Sequence, residues 1–548
     1  MGNGIIGFYN NRIKKEWKTA FYASLVISML THIYKFTNTL PNHDALYNIY
    51  CDQNMIGLGR WLLAPACMFS SFFDLPWLTG LLAIFFLSLS VVVLVEIFGI
   101  VNPVAIILVS GITVTFPAIT ESFFYEYTSD GYMLAMLIAS CAVLAVKKGR
   151  TYVGKILIPL LCVCCSCAIY QAYAAYAAVL LLCYLIFVIL TGENTAVELL
   201  KWLGRQILIF AGGLLLYYAV WRILLKVEGI SVSGYEGIDN VGRIDAGLLA
   251  SALSQTIKEF VQFFIKWDIR KYGFNTWIVL GILFLMVLAA GIIISVIKTE
   301  LYKKKTLFIL LILSLLAIPF AGFMWFFTSY GVVYNIRMEQ SLCLLYVLTV
   351  VLYDRFASIR PANTAAFLIA VCIMENAVVA NIYYHYMNLA YEKGYATAVE
   401  VSTRIHMIDD GSAKYIAVIG EIPGFAYEDY KKPSLLGNLG PLYVVDHNLA
   451  SNNILLPLFL GNYTGFQLAY YTNRGLEVPL YKPVDETAPV SGGWELRFPY
   501  VSAAMQKQLE GSEEVKEMGV WPAADSIRQI GDTIVIRFST PLEQENVE

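Results

Sequence analysis

Between residues 19 and 384, long apolar runs alternate with short polar breaks. A helix crossing a bilayer core needs about 20 mostly apolar residues, because each adds only about 1.5 Å of rise. The pattern predicts eleven crossing helices, at 19–36, 77–99, 103–119, 131–147, 153–169, 173–191, 206–225, 275–297, 306–327, 340–354 and 363–384. The first, fifth and tenth are short or interrupted by polar side chains.

After residue 384 the pattern changes. A helix is expected over 386–408, then short β-rich runs at 414–420 (KYIAVIG), 441–446 (PLYVVD) and 533–538 (TIVIRF), with helical stretches such as 502–518 between them. The fold class expected is a polytopic α-helical membrane protein of about eleven crossings, 1–384, carrying a small C-terminal α/β domain, 385–548. No internal repeat and no low-complexity tract is visible.

Composition supports the division. Of 548 residues, 58% are hydrophobic and 14% charged, with a mean hydropathy of +0.63; soluble domains carry about 25% charged residues. A soluble multi-domain enzyme, a disordered chain, a collagen-like repeat and a small disulfide scaffold are all excluded. Residues 385–548 hold 12 Lys/Arg against 21 Asp/Glu, and residues 1–384 hold 26 against 20. Neither part has the dense basic stripe of a nucleic-acid binder.

Basic residues of short loops collect on the cytoplasmic side of a membrane. Five clusters stand out: Arg12, Lys14, Lys15 and Lys18; Lys147, Lys148, Arg150 and Lys155; Lys201 and Arg205; Lys298, Lys303, Lys304 and Lys305; and Arg355 with Arg360. With eleven crossings all five fall on one side. The N-terminus is therefore expected on the cytoplasmic side. Loops 37–76, 120–130, 226–274 and 328–339 and the C-terminal domain are expected outside. Within 245–267, Leu248, Leu249, Leu253, Ile257, Phe260, Val261 and Phe264 recur at helical spacing, as in a helix lying in the outer interface. A weaker pattern after residue 57 suits interfacial packing or packing on neighbouring helices equally well.

All ten cysteines precede residue 373. Cys162, Cys164, Cys165 and Cys167 have the density of a metal cluster, but within LIPLLCVCCSCAIY they read as small packing residues. The five histidines show no ligand spacing, so no metal and no cofactor is expected. The N-terminus lacks the cleavage site of a signal peptide, so the first helix is expected to be retained. No Gly-rich phosphate or nucleotide motif is present.

The candidate chemistry lies in two outer loops. LPNHDALYNIYCDQNMIGLGRWLLAP offers His43, Asp44, Asp52 and Arg60, and TESFFYEYTSDGYM offers Glu121, Glu126 and Asp130. Such carboxylates suit glycosyl transfer from a lipid-linked donor: the acceptor hydroxyl needs a general base, and an oxocarbenium-like transition state is stabilised by negative charge. A lipid-phosphate leaving group suits an arginine, and Arg60 and Arg337 are the best-placed outer ones. Both also suit a second role, anchoring helix ends to lipid phosphates. Trp61, Tyr125 and Tyr127 are placed to stack on sugar faces. Asp74, before Pro76, reads as a helix cap or turn residue. Glu375, inside the last crossing helix, is a charge that the membrane tolerates only when paired or functional.

The Asp in PNHDAL at the start of the first outer loop, the GRWL that follows, and ESFFYEYTSDGY resemble the Gtr glucosyltransferases, the type II glucosyl transferases of bacterial O-antigen modification, within the GT-C superfamily. The resemblance covers roughly residues 15–385. It implies a metal-independent, inverting transfer of glucose from a polyprenyl-phosphate donor to a surface polysaccharide outside the plasma membrane. A flippase and a donor-synthesising glycosyltransferase are its implied partners. On the resemblance Asp44 takes the place of the first-loop catalytic carboxylate, and Glu121 with Asp130 that of the second acidic loop. Rival readings are a polysaccharide polymerase, a scaffold for a glycan machine, and a lipid-linked glycan transporter or flippase, which Glu375 favours.

Overall fold

A computed structural model describes residues 13–42, 44–45, 52–70, 72–192, 194–265, 276–420 and 501–539. Its larger part is a helical bundle: α1 (Lys15–Thr37), α2 (Leu63–Cys67), α3 (Pro76–Phe98), α4 (Pro103–Val114), α5 (Pro117–Phe124), α6 (Ser129–Lys148), α7 (Ile158–Ile169), α8 (Ala172–Thr191), α9 (Ala196–Glu228), α10 (Ala246–Phe264), α11 (Thr276–Lys298), α12 (Lys305–Gly322), α13 (Cys343–Phe356) and α14 (Ile359–Ile408). Prolines start α3, α4 and α5, where the missing N–H has no helical partner to lose. Asn102 caps α4 by accepting from the Val104 N–H, and Thr195 with Glu198 forms a capping box on α9.

Each of the eleven expected crossings is helical, but the expected count is not reached by length and apolarity. Seven helices among the described residues are long and apolar enough to cross a membrane, or eight if α4 and α5, bent by 41° at their junction, make one broken span. The shortfall has local causes. Helix α1 buries Ser24, Ser28, Thr31, His32 and Lys35; α13 has 14 residues; and α7 begins in a π-turn at Val153–Leu157.

Ion pairs fix the relative direction of three helices. Glu96, near the end of α3, pairs with Lys14 at the start of α1 and with Lys148 at the end of α6. Trp17 Nε1 also donates to it at 2.6 Å. At the opposite end of the same helices lie Lys35, Asp74 and Glu126. The two loops rich in acids therefore share one end of the bundle, away from the first two basic clusters.

Two sequence expectations change here. The helices expected at 363–384 and 386–408 are one, the 50-residue α14, about 75 Å long at 1.5 Å per residue. Its buried face continues unbroken through Tyr383, Tyr384, Met387, Ala390, Gly394 and Ala398, so nothing ends the helix at the expected boundary. In addition α10 divides its apolar residues between two faces: Leu248, Ala252 and Phe263 are buried, while Leu249, Leu253 and Ile257 are exposed.

The far end of α14 belongs to the C-terminal unit. Strands β1 (Tyr415–Ile419), β2 (Ile527–Ile530) and β3 (Thr533–Arg537) form a sheet of order β1-β3-β2, with β1 parallel and β2 antiparallel to β3. Side chains alternate faces along a strand. Ile416, Val418, Ile534 and Ile536 pack on Ala398, Val401 and Ile405 of α14. Ala417, Ile419 and Val535 pack on Leu509 of α15 (Ala503–Gly511) and Val515 of α16 (Glu513–Lys516). The strand expected at 441–446 lies outside the described residues.

Candidate functional site

The loop carrying Arg60 is folded back on itself. Ile56–Leu58 form a 3-10 turn that Gly59 closes at φ 79°, its N–H donating to the Ile56 carbonyl at 2.9 Å. Trp221 Nε1 of α9 donates to the same carbonyl at 2.6 Å, and Gln171 Nε2, between α7 and α8, donates to the Leu58 carbonyl at 2.6 Å. A β-carbon at position 59 would overlap the Tyr217 hydroxyl and lie 2.8 Å from Gln171 Nε2, so the backbone approaches this closely only as glycine. The turn delivers Arg60 to a pair of stacked rings, Tyr132 and Tyr170, whose centroids are 4.4 Å apart. The guanidinium sits 4.8 Å from the Tyr170 centroid, with Nη1 3.4 Å from the Tyr132 hydroxyl. Arg60 Nε is buried, with no hydrogen-bond partner among the described residues.

Arg337 reaches the same rings from the other side. Its backbone N–H donates to Glu121 Oε2 at 2.8 Å, and its Nη1 lies 3.4 Å from Glu121 Oε1 and 3.0 Å from the Tyr125 hydroxyl. The guanidinium stands 4.4 Å from the Tyr125 ring centroid and also hydrogen-bonds Tyr170. Tyr170, in the link between α7 and α8, has its phenol pushed up to about 12 by burial. The two arginines are near enough to repel each other. Like charges converge in so enclosed a place at a cost that a bound anion removes.

Beside Arg60 opens a cavity of about 260 Å³. Tyr170, Tyr217, Tyr218, Trp221 and Trp325 wall it, with Leu214, Ile238, Val241, Val332 and Met338 filling between them. Trp325 Nε1 is buried and has no hydrogen-bond partner among the described residues. The cavity borders α9, whose Leu208, Leu215 and Tyr218 are exposed. An apolar chamber against an outward-facing helix, with a guanidinium at one end, suits an amphiphile with an anionic head.

The acids separate into different settings. Asp44 is half-buried, on a lead in which Asn42 Oδ1 accepts the N–H groups of Asp44 and Ala45, and its charge acts on the phenols of Tyr125 and Tyr127. Glu121 is engaged with Arg337. Asp130 is buried, accepts the Gly131 N–H at 2.8 Å and lies beside the Cys67 thiol. Glu126 turns the other way, to Lys35. Tyr127 is buried edge-on to Tyr125, and Trp61 packs against Cys164, Cys167 and Tyr217.

Asp74 is not a helix cap: Leu75 occupies that position, and the Asp74 side chain hydrogen-bonds Glu126 instead. Burial pushes its carboxyl well above the usual range, and the neighbouring Glu126 charge adds to the shift. Glu339, two residues beyond Arg337, is raised in the same way by burial and by Glu259 and Glu121. Glu375 is buried facing Tyr346, Cys372 and Asn376, and its Oε1 has no partner among the described residues. Among the described residues no three or more His, Cys, Asp or Glu side chains are grouped to hold a metal.

Sequence reasoning passed over Tyr132, Tyr170, Gln171, Tyr217, Trp221, Trp325 and Lys35. Tyr170 and Gln171 were findable, being the whole link between two apolar helices. So was Lys35, a cation at the end of a helix away from the basic clusters.

The model of the family described as Glucosyl transferase GtrII matches residues 33–353, a stretch holding both acidic loops and both arginines. No curated protein and no solved structure matches the chain.

Proposed function

This chain belongs to the GtrII glucosyl transferase family, and from that premise we propose that it moves one hexose, glucose, from a polyprenyl-phosphate donor to a cell-surface polysaccharide such as O-antigen. The observation that carries this reading is the convergence of Arg60 and Arg337 on one tyrosine pair beside an apolar cavity. The phosphate lies between the guanidiniums, and the first units of the isoprenoid occupy the chamber against α9.

Asp44 is the base. It takes the proton of an acceptor hydroxyl, and that oxygen attacks the anomeric carbon on the face opposite the phosphate. The bond from the anomeric carbon to the phosphate oxygen breaks with its electron pair on oxygen, and polyprenyl phosphate departs. Configuration inverts. The arginines neutralise the developing phosphate charge, so the transfer needs no metal. Glu121 orients Arg337, and Asp130 supports the start of α6. The basic clusters face the cytoplasm and the site faces outside the plasma membrane, where a flippase and a donor-synthesising glycosyltransferase supply its donor.

The test is a transfer assay with purified full-length protein, polyprenyl-phosphate-glucose and a panel of surface glycans, with Asp44→Asn alongside. Single glucose units added by the wild type and lost in the variant are expected. Extended chains as product would mean a polymerase instead. No transfer by a well-folded wild type to any glycan of the panel would overturn the reading.

A further inference from the structure

Lys35 is where the two acid-bearing loops meet. Its Nζ donates to the Leu40 carbonyl, four residues before Asp44, and to Glu126 Oε2, between Glu121 and Asp130 in the chain. The ammonium is fully buried and the Glu126 carboxylate nearly so. Glu126 is also bonded by Asp74, from the other end of the first loop. One cation thereby gathers the beginning of loop 37–76, its end, and the turn of the second loop.

One ammonium faces the Glu126 carboxylate. Burial raises the Asp74 carboxyl above the usual carboxylate range, and its side chain hydrogen-bonds Glu126. Asp130 also acts on Asp74. A buried ion pair is rarely more stable than well-packed apolar side chains of the same volume. What such a pair supplies is a particular arrangement, and here the arrangement concerns the approach of two loops.

We propose that Lys35 is a positioning residue: it holds the segment bearing Asp44 against the segment bearing Glu121 and Tyr125, so that the base and the Arg337 guanidinium keep one spacing. The assignment of Asp44 as base rests on the proposed function; the clasp itself does not. Between Leu40 and Asp44 the chain is short, and Asn42 pins it once more. Releasing Leu40 frees the base to drift, and a misplacement of about 1 Å costs on the order of 10²-fold in rate.

Lys35→Met alone leaves Glu126 buried and uncompensated, so the decisive variant is Lys35→Met/Glu126→Leu, which removes both charges. In full-length protein in detergent, backbone hydrogen exchange is expected to quicken in peptides covering 40–45 and 122–128 and to stay unchanged through α8 and α12. In the transfer assay kcat is expected to fall about 10²-fold with the donor KM unchanged. Lys35→Arg is expected to restore part of the rate. Wild-type kcat in the double variant would overturn the proposal. If the wild type itself transfers nothing, the proposed function fails, and exchange at 40–45 still judges the clasp: unchanged exchange there would overturn it.

Discussion

Glu121 accepts the backbone N–H of Arg337 at 2.8 Å while its other oxygen faces the same residue's guanidinium. The acid thus fixes the main chain of the 328–339 loop as well as the charge it carries. A carboxylate engaged in this way is a poor general base, because taking a proton would release the loop it holds. Asp44 is half-buried, and its charge acts on the phenols of Tyr125 and Tyr127.

Glu121→Gln separates the two roles. A glutamine oxygen still accepts the Arg337 N–H, so a holding role predicts a donor KM raised about 10-fold and kcat lowered only a few-fold. A base role predicts a kcat loss of about 10² to 10⁴-fold, the usual range for general acid–base catalysis. Steady-state kinetics with varied donor distinguishes them. A kcat collapse at unchanged KM would return Glu121 to the proton-transfer step.

Gly59→Ala probes how Arg60 is delivered. The backbone at φ 79° disfavours any side chain, and the new methyl would run into Tyr217 and Gln171. Strain of this kind costs on the order of 1–3 kcal/mol. The expected outcome is a lowered unfolding temperature in detergent together with weaker donor use, because Tyr217 also lines the cavity. Unaltered stability and kinetics would show that the loop relaxes without moving Arg60.

These features were legible in the sequence to different degrees. The helices follow from runs of apolar residues, a local signal, and seven or eight among the described residues are long and apolar enough to cross a membrane. Strands at 414–420 and 533–538 follow from β-branched alternation in the same way. The continuity of α14 is not local: the apolar run ends near Tyr384, and burial of Tyr383, Tyr384, Tyr386 and Met387 carries the helix across that point. In the second loop, Glu121, Glu126 and Asp130 look alike in sequence. They differ only through partners far along the chain: Arg337 for the first, Lys35 and Asp74 for the second, Cys67 for the third. Spacing within a loop carries no information about such partners.

Asp74 makes a pH-dependent contribution whose sign is determined. Its carboxyl is raised above the ordinary value of 3.8 by burial and by Glu126. The folded protein therefore keeps this proton at pH values where the unfolded chain has released it. Stability from this group is complete below about pH 3.8 and is lost as pH rises toward the folded value, at about 1.4 kcal/mol per pH unit. Asp74→Asn, which keeps a donor toward Glu126 and cannot ionise, is expected to lack this slope and to be the more stable form at neutral pH. Paired unfolding curves of the two proteins from pH 4 to 8 check it; parallel curves would mean that Asp74 titrates normally.

The two arginines also predict how the reaction depends on metal. In many phosphate-releasing enzymes a divalent cation neutralises the leaving group, and chelation abolishes turnover. Here Arg60 and Arg337 supply two fixed positive charges at Tyr132 and Tyr170, held by Gly59 on one side and Glu121 on the other. Transfer is therefore expected to survive excess chelator unchanged. Arg337→Ala should weaken donor use by about 10 to 10²-fold, the loss of one or two charge-assisted hydrogen bonds to phosphate. Arg60→Lys should recover little, because an ammonium cannot both lie over the Tyr170 face and present a planar fork to phosphate. Activity that falls with chelator and returns with Mg²⁺ or Mn²⁺ would mean that the guanidiniums do not suffice. An Arg337→Ala variant with unchanged donor dependence would reduce that residue to an anchor at the bilayer surface.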